Sequence, residues 1–127
     1  MTPGSHGSTF GGNPLAMEVA MEVVSIISAP AFLERVCEAS ASVMERARDL
    51  VARNPKVFSE ARGSGLLVGL QCLAPLSKVI ALAHKENLVC LPAGNNVLRL
   101  APPLIIADAE IDEGFARLAR AAARLSR

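Results

Sequence analysis

The chain has 127 residues, 51% of them hydrophobic and 20% charged, with a formal net charge of +1, enough apolar material for one core-forming domain. Its arginines are spread along helical patterns and its only aromatic residues are four phenylalanines, so the basic patch and stacking surface of a nucleic-acid binder are not expected. No membrane partner is expected either: the greasy run over 15–27 is short and broken by Glu18, Glu22 and Ser25, and residues 1–12 lack the charged and apolar regions of a targeting peptide.

Residues 4–14 read Gly-Ser-His-Gly-Ser-Thr-Phe-Gly-Gly-Asn-Pro. Gly4, Gly7, Gly11 and Gly12 permit close backbone approach, and Ser5, Ser8 and Thr9 add hydroxyl donors. Asn13 followed by Pro14 has the form of an N-cap with proline at the first helical position. A helix N-terminus behind such a loop suits a phosphate group without a basic cluster. The loop is not a nucleotide-binding P-loop, because no lysine occurs before Lys56. From the residues alone, 1–12 read either as a flexible arm or as an anion-binding loop.

The first helix is predicted from Pro14 to about Ser28, mostly apolar with a narrow stripe of Glu18, Glu22 and Ser25, the pattern of a buried helix. Met17 and Met21, with Met44 further on, are expected to fill a core. After Pro30, the positions Leu33, Val36, Cys37, Ser40, Val43, Met44, Ala47, Leu50 and Val51 fall at steps of three and four. They predict an amphipathic helix that Asn54-Pro55 ends. Two short strands follow over 57–62 and 66–72, joined through Gly63-Ser64-Gly65.

A shorter helix is predicted over 76–86, with Asn87 as its left-handed C-terminal residue, then extended structure over 88–91, a turn over 92–96 and a strand over 97–101 ended by Pro102-Pro103. Alternation in that strand places Leu98 and Leu100 toward the core and Val97, Arg99 and Ala101 on the other face. The last helix, about 108–125, presents Ile111, Phe115, Leu118, Ala119, Ala122 and Leu125 as its stripe. Its acids gather early and its arginines late, matching the helix dipole. The arginine series reads as a solvated face.

Arg99, flanked by leucines and followed by Ala-Pro-Pro, reads from the residues alone as the partner of a buried glutamate. Cys37, Cys72 and Cys90 are too few and too widely spaced for a disulfide framework or a zinc site and read as reduced, buried thiols. His6 and His84 show no derivable catalytic role, and Lys56, Lys78 and Lys85 are expected as solvated ammonium groups.

The string His6-Gly7-Ser8-Thr9-Phe10-Gly11-Gly12-Asn13-Pro14-Leu15-Ala16 resembles the phosphate-loop signature of class III, pyridoxal-phosphate-dependent aminotransferases. Its Gly-Ser-Thr-Phe part is most like the acetylornithine type. The resemblance continues through Arg62-Gly63-Ser64-Gly65-Leu66-Leu67-Val68-Gly69-Leu70. It resumes at Asn96-Val97-Leu98-Arg99-Leu100-Ala101-Pro102-Pro103-Leu104-Ile105-Ile106 and at Ala109-Glu110-Ile111-Asp112-Glu113, and so covers essentially the whole chain.

The resemblance implies an α+β fold, the C-terminal small domain of a fold-type I aminotransferase: a small, mostly antiparallel sheet covered by helices and preceded by a long connector helix. It implies a phosphate-binding arm over 1–12, an interdomain connector helix over 13–29 and the small domain over 30–127. Family members are about three times this length. The cofactor-binding lysine, the ring-stacking aromatic residue and the aspartate at the ring nitrogen would all lie upstream, leaving no catalytic residue in this stretch. The chain alone is therefore expected to be inactive, with the apolar surface of its connector helix exposed.

For pyridoxal 5'-phosphate, the resemblance carries over Ser8 and Thr9 as phosphate donors reaching into a homodimer partner's site. For amino-acid and 2-oxo-acid substrates it carries over Arg99 as the carboxylate-binding group, where a planar guanidinium offers two parallel hydrogen bonds. The implied reaction moves the δ-amino group of N2-acetylornithine to 2-oxoglutarate, in arginine biosynthesis in the cytoplasm. Ornithine, succinylornithine or another ω-amine remains open as the donor. So do a non-catalytic α+β binding module and an inactive remnant that self-associates through the connector helix.

Overall fold

A computed structural model of the protein describes residues 7–125. They form the order α1 (Pro14–Ile27), α2 (Pro30–Arg53), β1 (Phe58–Ser64), β2 (Leu67–Cys72), α3 (Leu76–Lys85), β3 (Leu91–Ala93), β4 (Val97–Leu100) and α4 (Asp108–Leu125). The chain divides between Glu34 and Arg35 into two compact units.

In the first unit, α1 starts as its sequence predicts. The Asn13 side chain accepts from the Ala16 N–H at 2.9 Å and Pro14 occupies the first turn. Yet α1 has no buried residue. Leu15, Met21 and Val24 are 76%, 67% and 58% exposed, the exposure expected of this helix in the chain alone, and the core that Met17 and Met21 were expected to fill is not found among the described residues. An apolar cylinder specifies a helix that needs cover; it does not supply the cover.

The second unit is built on a four-stranded, fully antiparallel sheet in the order β1-β2-β4-β3. One face carries Val68, Leu70 and Cys72 of β2 and Leu98 of β4 into a core completed by Ala39, Val43, Ala47 and Leu50 of α2, Val79 and Ala83 of α3, and Ile111, Leu118 and Ala122 of α4. This is an α+β domain, as predicted. Met44 packs against that core and meets its expectation. Leu33 and Cys37, expected on the same stripe, are exposed while Ala39 is fully buried. The rest of the predicted stripe, Val36, Val43, Ala47, Leu50 and Val51, is buried or packed on the core, so the face is the predicted one from Val36 onward, with Ala39 added and Cys37 left out.

Three strand boundaries differ from the prediction. Ser64 pairs with Leu67, so the hairpin turns through Gly65-Leu66, not through three residues, and Gly65 takes the positive φ of 58° that a tight turn demands. Gly63 instead lies within β1, where a β-carbon would sit 2.3 Å from the Leu67 carbonyl oxygen and 2.9 Å from the Val68 Cα. The segment 88–90 forms no strand, and β3 begins at Leu91 and includes Pro92. Proline is tolerated there because β3 is an edge strand.

The helix ends are closed locally. Asn87, at φ 56°, ends α3 with its N–H donating to the His84 carbonyl while Leu88 donates to Ala83, a Schellman arrangement. Asn96, at φ 60°, joins three segments. Its Nδ2 donates to the carbonyls of Cys72 at 2.6 Å and Ala74 at 3.0 Å, and its Oδ1 accepts from the Leu76 N–H at 3.0 Å. A residue of the β3–β4 turn thereby caps α3.

Arg120 and Arg124 of α4 are exposed as predicted, but they are also paired. Glu86, at the C-terminus of α3, keeps 9% of its side chain exposed and lies 2.9 Å from Arg120 and 2.5 Å from Arg124. Arg117 donates to the Asn87 carbonyl at 2.8 Å and pairs with Glu113 at 2.8 Å. The hydrogen bond from Arg120, assisted by the charges of Arg124 and Arg117, holds the Glu86 carboxyl below the ordinary glutamate range.

Two outcomes follow from this packing. Gly63→Ala forces backbone apart and is expected to cost about 1–3 kcal/mol in urea unfolding, whereas Gly94→Ala, with nothing within 4 Å of the added carbon, costs less than about 1 kcal/mol. Because the folded Glu86 pKa is depressed, its contribution is present above the unfolded value and is lost as pH falls through the folded one. Glu86→Gln therefore lowers the melting temperature at pH 7, and its difference from the parent shrinks as the pH drops below the usual carboxylate range.

Candidate functional site

The predicted phosphate loop falls partly outside the described residues, since residues 1–6, with Gly4, Ser5 and His6, lie beyond them. From Gly7 onward it is an exposed turn leading into α1. Gly12 has φ 78°. A β-carbon on Gly11 would meet the Ser8 Cβ at 3.0 Å and Oγ at 3.1 Å, so the missing side chain is what lets Ser8 fold back on the turn. Asn13 closes it by donating through Nδ2 to the Phe10 carbonyl at 2.7 Å. Ser8 and Thr9 are exposed, and neither hydroxyl makes a hydrogen bond within the described residues.

Arg99 lies in the second unit, on β4, the strand between β2 and β3. Pairing places it opposite Gly69 on one side and Leu91 on the other. It faces away from the buried Leu98, as alternation required. The alternative of a buried glutamate partner is not realised. Arg99 forms no ion pair among the described residues, and the one glutamate drawn into the fold, Glu86, is taken by Arg120 and Arg124.

Arg99 lines a groove of about 440 Å³ with Leu91, Leu100, Pro102, Pro103 and Phe115. The other charged lining residue, Glu110, already accepts from the Ala107 N–H at 2.8 Å. A free guanidinium beside an apolar wall can bind a planar anion through both arms of its fork, with little competition from protein acids.

Other candidates carry no such arrangement. Lys56, Lys78, Lys85 and His84 are exposed. Cys72 and Cys90 are buried as predicted, but Cys37 is exposed. Burial pushes the Cys90 thiol up to about 11 and raises that of Cys72, against a smaller opposing hydrogen bond from the Leu98 backbone. No group of three or more metal-ligating side chains occurs among the described residues, nor does any single helix there have the length and apolarity to cross a membrane. Sequence reading missed Asn96, whose Gly-Asn-Asn context signals only a turn, and Glu86, whose partners lie more than thirty residues away.

The model of the class III aminotransferase family matches residues 1–122. The chain belongs to the class III aminotransferases. Acetylornithine aminotransferase 1 of Bradyrhizobium diazoefficiens is 42% identical over 126 residues, 99% of this chain and 31% of that protein. Acetylornithine aminotransferase of Myxococcus xanthus is 47% identical over 113 residues, 88% and 28% of the two chains.

Among solved structures, acetylornithine aminotransferase from Elizabethkingia anophelis is 26% identical with a TM-score of 0.82, covering 98% of this chain and 33% of its own. Ornithine aminotransferase from Toxoplasma gondii, described with partial occupancy of pyridoxal phosphate at its active site, is 28% identical with a TM-score of 0.81, covering 98% and 30%. The chain thus spans about a third of the length of these relatives. Class III aminotransferases are pyridoxal-phosphate-dependent. The loop's chemistry fits such a group: two unpartnered hydroxyls and a glycine-bared turn stand at a capped helix N-terminus.

The thiol environments give a direct check. At pH 8 the native chain is expected to show one rapidly reacting cysteine with a thiol-disulfide reagent, Cys37, and three only after denaturation. Rapid labelling of Cys90 in the native state would contradict its burial.

Proposed function

We propose that this chain supplies the C-terminal part of an aminotransferase that moves the δ-amino group of N2-acetylornithine to 2-oxoglutarate, within arginine biosynthesis, in a cytoplasmic homodimer. The observation that carries the reading is the match to acetylornithine aminotransferases over 99% of the chain, including both the hydroxyl-bearing loop and Arg99. Residues 1–12 act as the phosphate-binding arm, 13–29 as the connector helix and 30–127 as the small domain.

Ser8 and Thr9 donate hydrogen bonds to the cofactor phosphate, their hydroxyls being free for it, and they do so in the partner subunit's site. Arg99 binds a substrate carboxylate, which 2-oxoglutarate and product glutamate carry beside the reacting carbon and the amino donor carries on its α-carbon, away from the reacting δ-carbon, so one forked cation serves both halves of the reaction. Lysine in its place keeps the charge and loses the fork. Pyridoxal phosphate, when bound, supplies the electron sink for the chemistry, and the residues of this stretch bind and orient. Lys56, Lys78 and Lys85 play no covalent part, and the chain alone is inactive.

A second reading, with ornithine or another ω-amine as donor, is favoured by the nearly equal structural likeness to acetylornithine and ornithine aminotransferases, with TM-scores of 0.82 and 0.81.

The test is a hybrid in which this chain replaces the matching segment of the Bradyrhizobium diazoefficiens enzyme. Transamination of N2-acetylornithine in preference to ornithine is expected. Arg99→Lys should raise KM for the carboxylate substrates about tenfold or more, in line with losing one charge-assisted bond, with cofactor retention unchanged. Thr9→Ala should weaken cofactor retention. A folded, dimeric hybrid that prefers ornithine selects the second reading, and one in which both variants lose both properties equally refutes these roles.

A further inference from the structure

On the face of the sheet that carries Arg99, one position lacks a side chain. Gly69 of β2 pairs directly with Arg99 of β4, and the space above it is filled from the neighbouring rung. Val97, two residues before Arg99 on the same face, is only 6% exposed although it points away from the Leu70–Leu98 core. Its Cγ1 lies 2.9 Å from where a β-carbon on Gly69 would stand. Val97 therefore occupies the space that a side chain on Gly69 would need. On its other side Arg99 pairs with Leu91, so Gly69, Val97 and Leu91 are its neighbours on the sheet, and it makes no ion pair among the described residues.

We propose that Gly69 is a positioning residue for Arg99: by carrying no side chain it lets Val97 occupy that space, and this seat keeps the surface beside the guanidinium low and apolar enough for a carboxylate to reach both arms of the fork. The inference rests on the reading of Arg99 as the carboxylate-binding group. A methyl at position 69 cannot coexist with Val97 where it lies. The isopropyl group is a short, β-branched knob with one preferred rotamer, so it must rise toward the space that the bound carboxylate needs. Removing the knob instead leaves a hollow under Arg99.

The two positions are complementary in volume, which gives the test its form. In the hybrid holoenzyme, Gly69→Ala is expected to raise KM for 2-oxoglutarate about tenfold and Val97→Ala about threefold, with kcat within twofold and cofactor retention unchanged. The double variant, in which the methyl gained at 69 refills the volume lost at 97, returns KM to within about twofold of the parent, the non-additivity expected of contacting residues.

Additive losses in the double variant overturn the inference, as does a loss confined to kcat and cofactor retention, which a general packing defect produces. Arg99→Lys in the same hybrid separates the two readings. A normal KM there sinks the role of Arg99, whereas a raised KM with Gly69→Ala silent sinks only the seat. Thermal unfolding of the same hybrid tests the packing apart from turnover: Gly69→Ala lowers the melting temperature and adding Val97→Ala restores it, and an unchanged melting temperature for Gly69→Ala refutes the contact.

Discussion

The second unit depends on the alternation of β4. A strand sends successive side chains to opposite faces, and β4 lies between two partners, so its backbone is fixed from both sides. Leu98 is then fully buried against Leu70 and the helices, while Arg99 must point the other way. Burial of one apolar residue thus decides where a cation stands. A register slip by one residue would put the guanidinium into the core, at a cost no partner there could offset.

The polar contacts around this sheet anchor the entry to β4 and tie the helices together. Asn96 bonds to the exit of β2 and the start of α3 immediately before β4 begins. Arg46 and Arg35 of α2 pair with Asp112 and Asp108 of α4 at 2.6 and 2.9 Å, and Glu86 gathers two arginines of α4 against the end of α3. Exposed pairs of this kind are individually weak. Their shared consequence is that α4, which walls the groove beside Arg99, is tied to both other helices of the unit. Arg99 is left out of every ion pair among the described residues, which keeps its charge available to a ligand.

The chemistry argued for this chain divides in the same way. The loop before α1 offers small, hydroxyl-bearing groups at a helix start, and β4 offers a forked cation beside apolar surface. One suits a phosphate and the other a carboxylate. In a family whose members are about three times longer, such a stretch binds and orients, and the covalent chemistry is left to groups elsewhere. The wholly exposed apolar helix α1 belongs with that picture, since its composition calls for cover that its own unit does not give.

Much of this was legible from residues. Asn13-Pro14 announced the start of α1, Asn87 the end of α3, and the 3.6-residue period the extents of α2 and α4, because caps and amphipathic stripes are local and repeat at a fixed spacing. Alternation gave the face of Arg99 before any coordinates, and the motif string gave the family. The sequence by itself therefore determined the elements, the outward direction of the one cation that matters and the kinship. Only the tertiary structure decided that Ala39 and not Cys37 of α2 is buried, that the hairpin turns at Gly65-Leu66, that Glu86 is the acid the arginines seek, and that Gly69 lies beneath Val97. Each of those depends on pairing between residues distant in the chain, and local propensity carries no information about which distant partner will fill a given space.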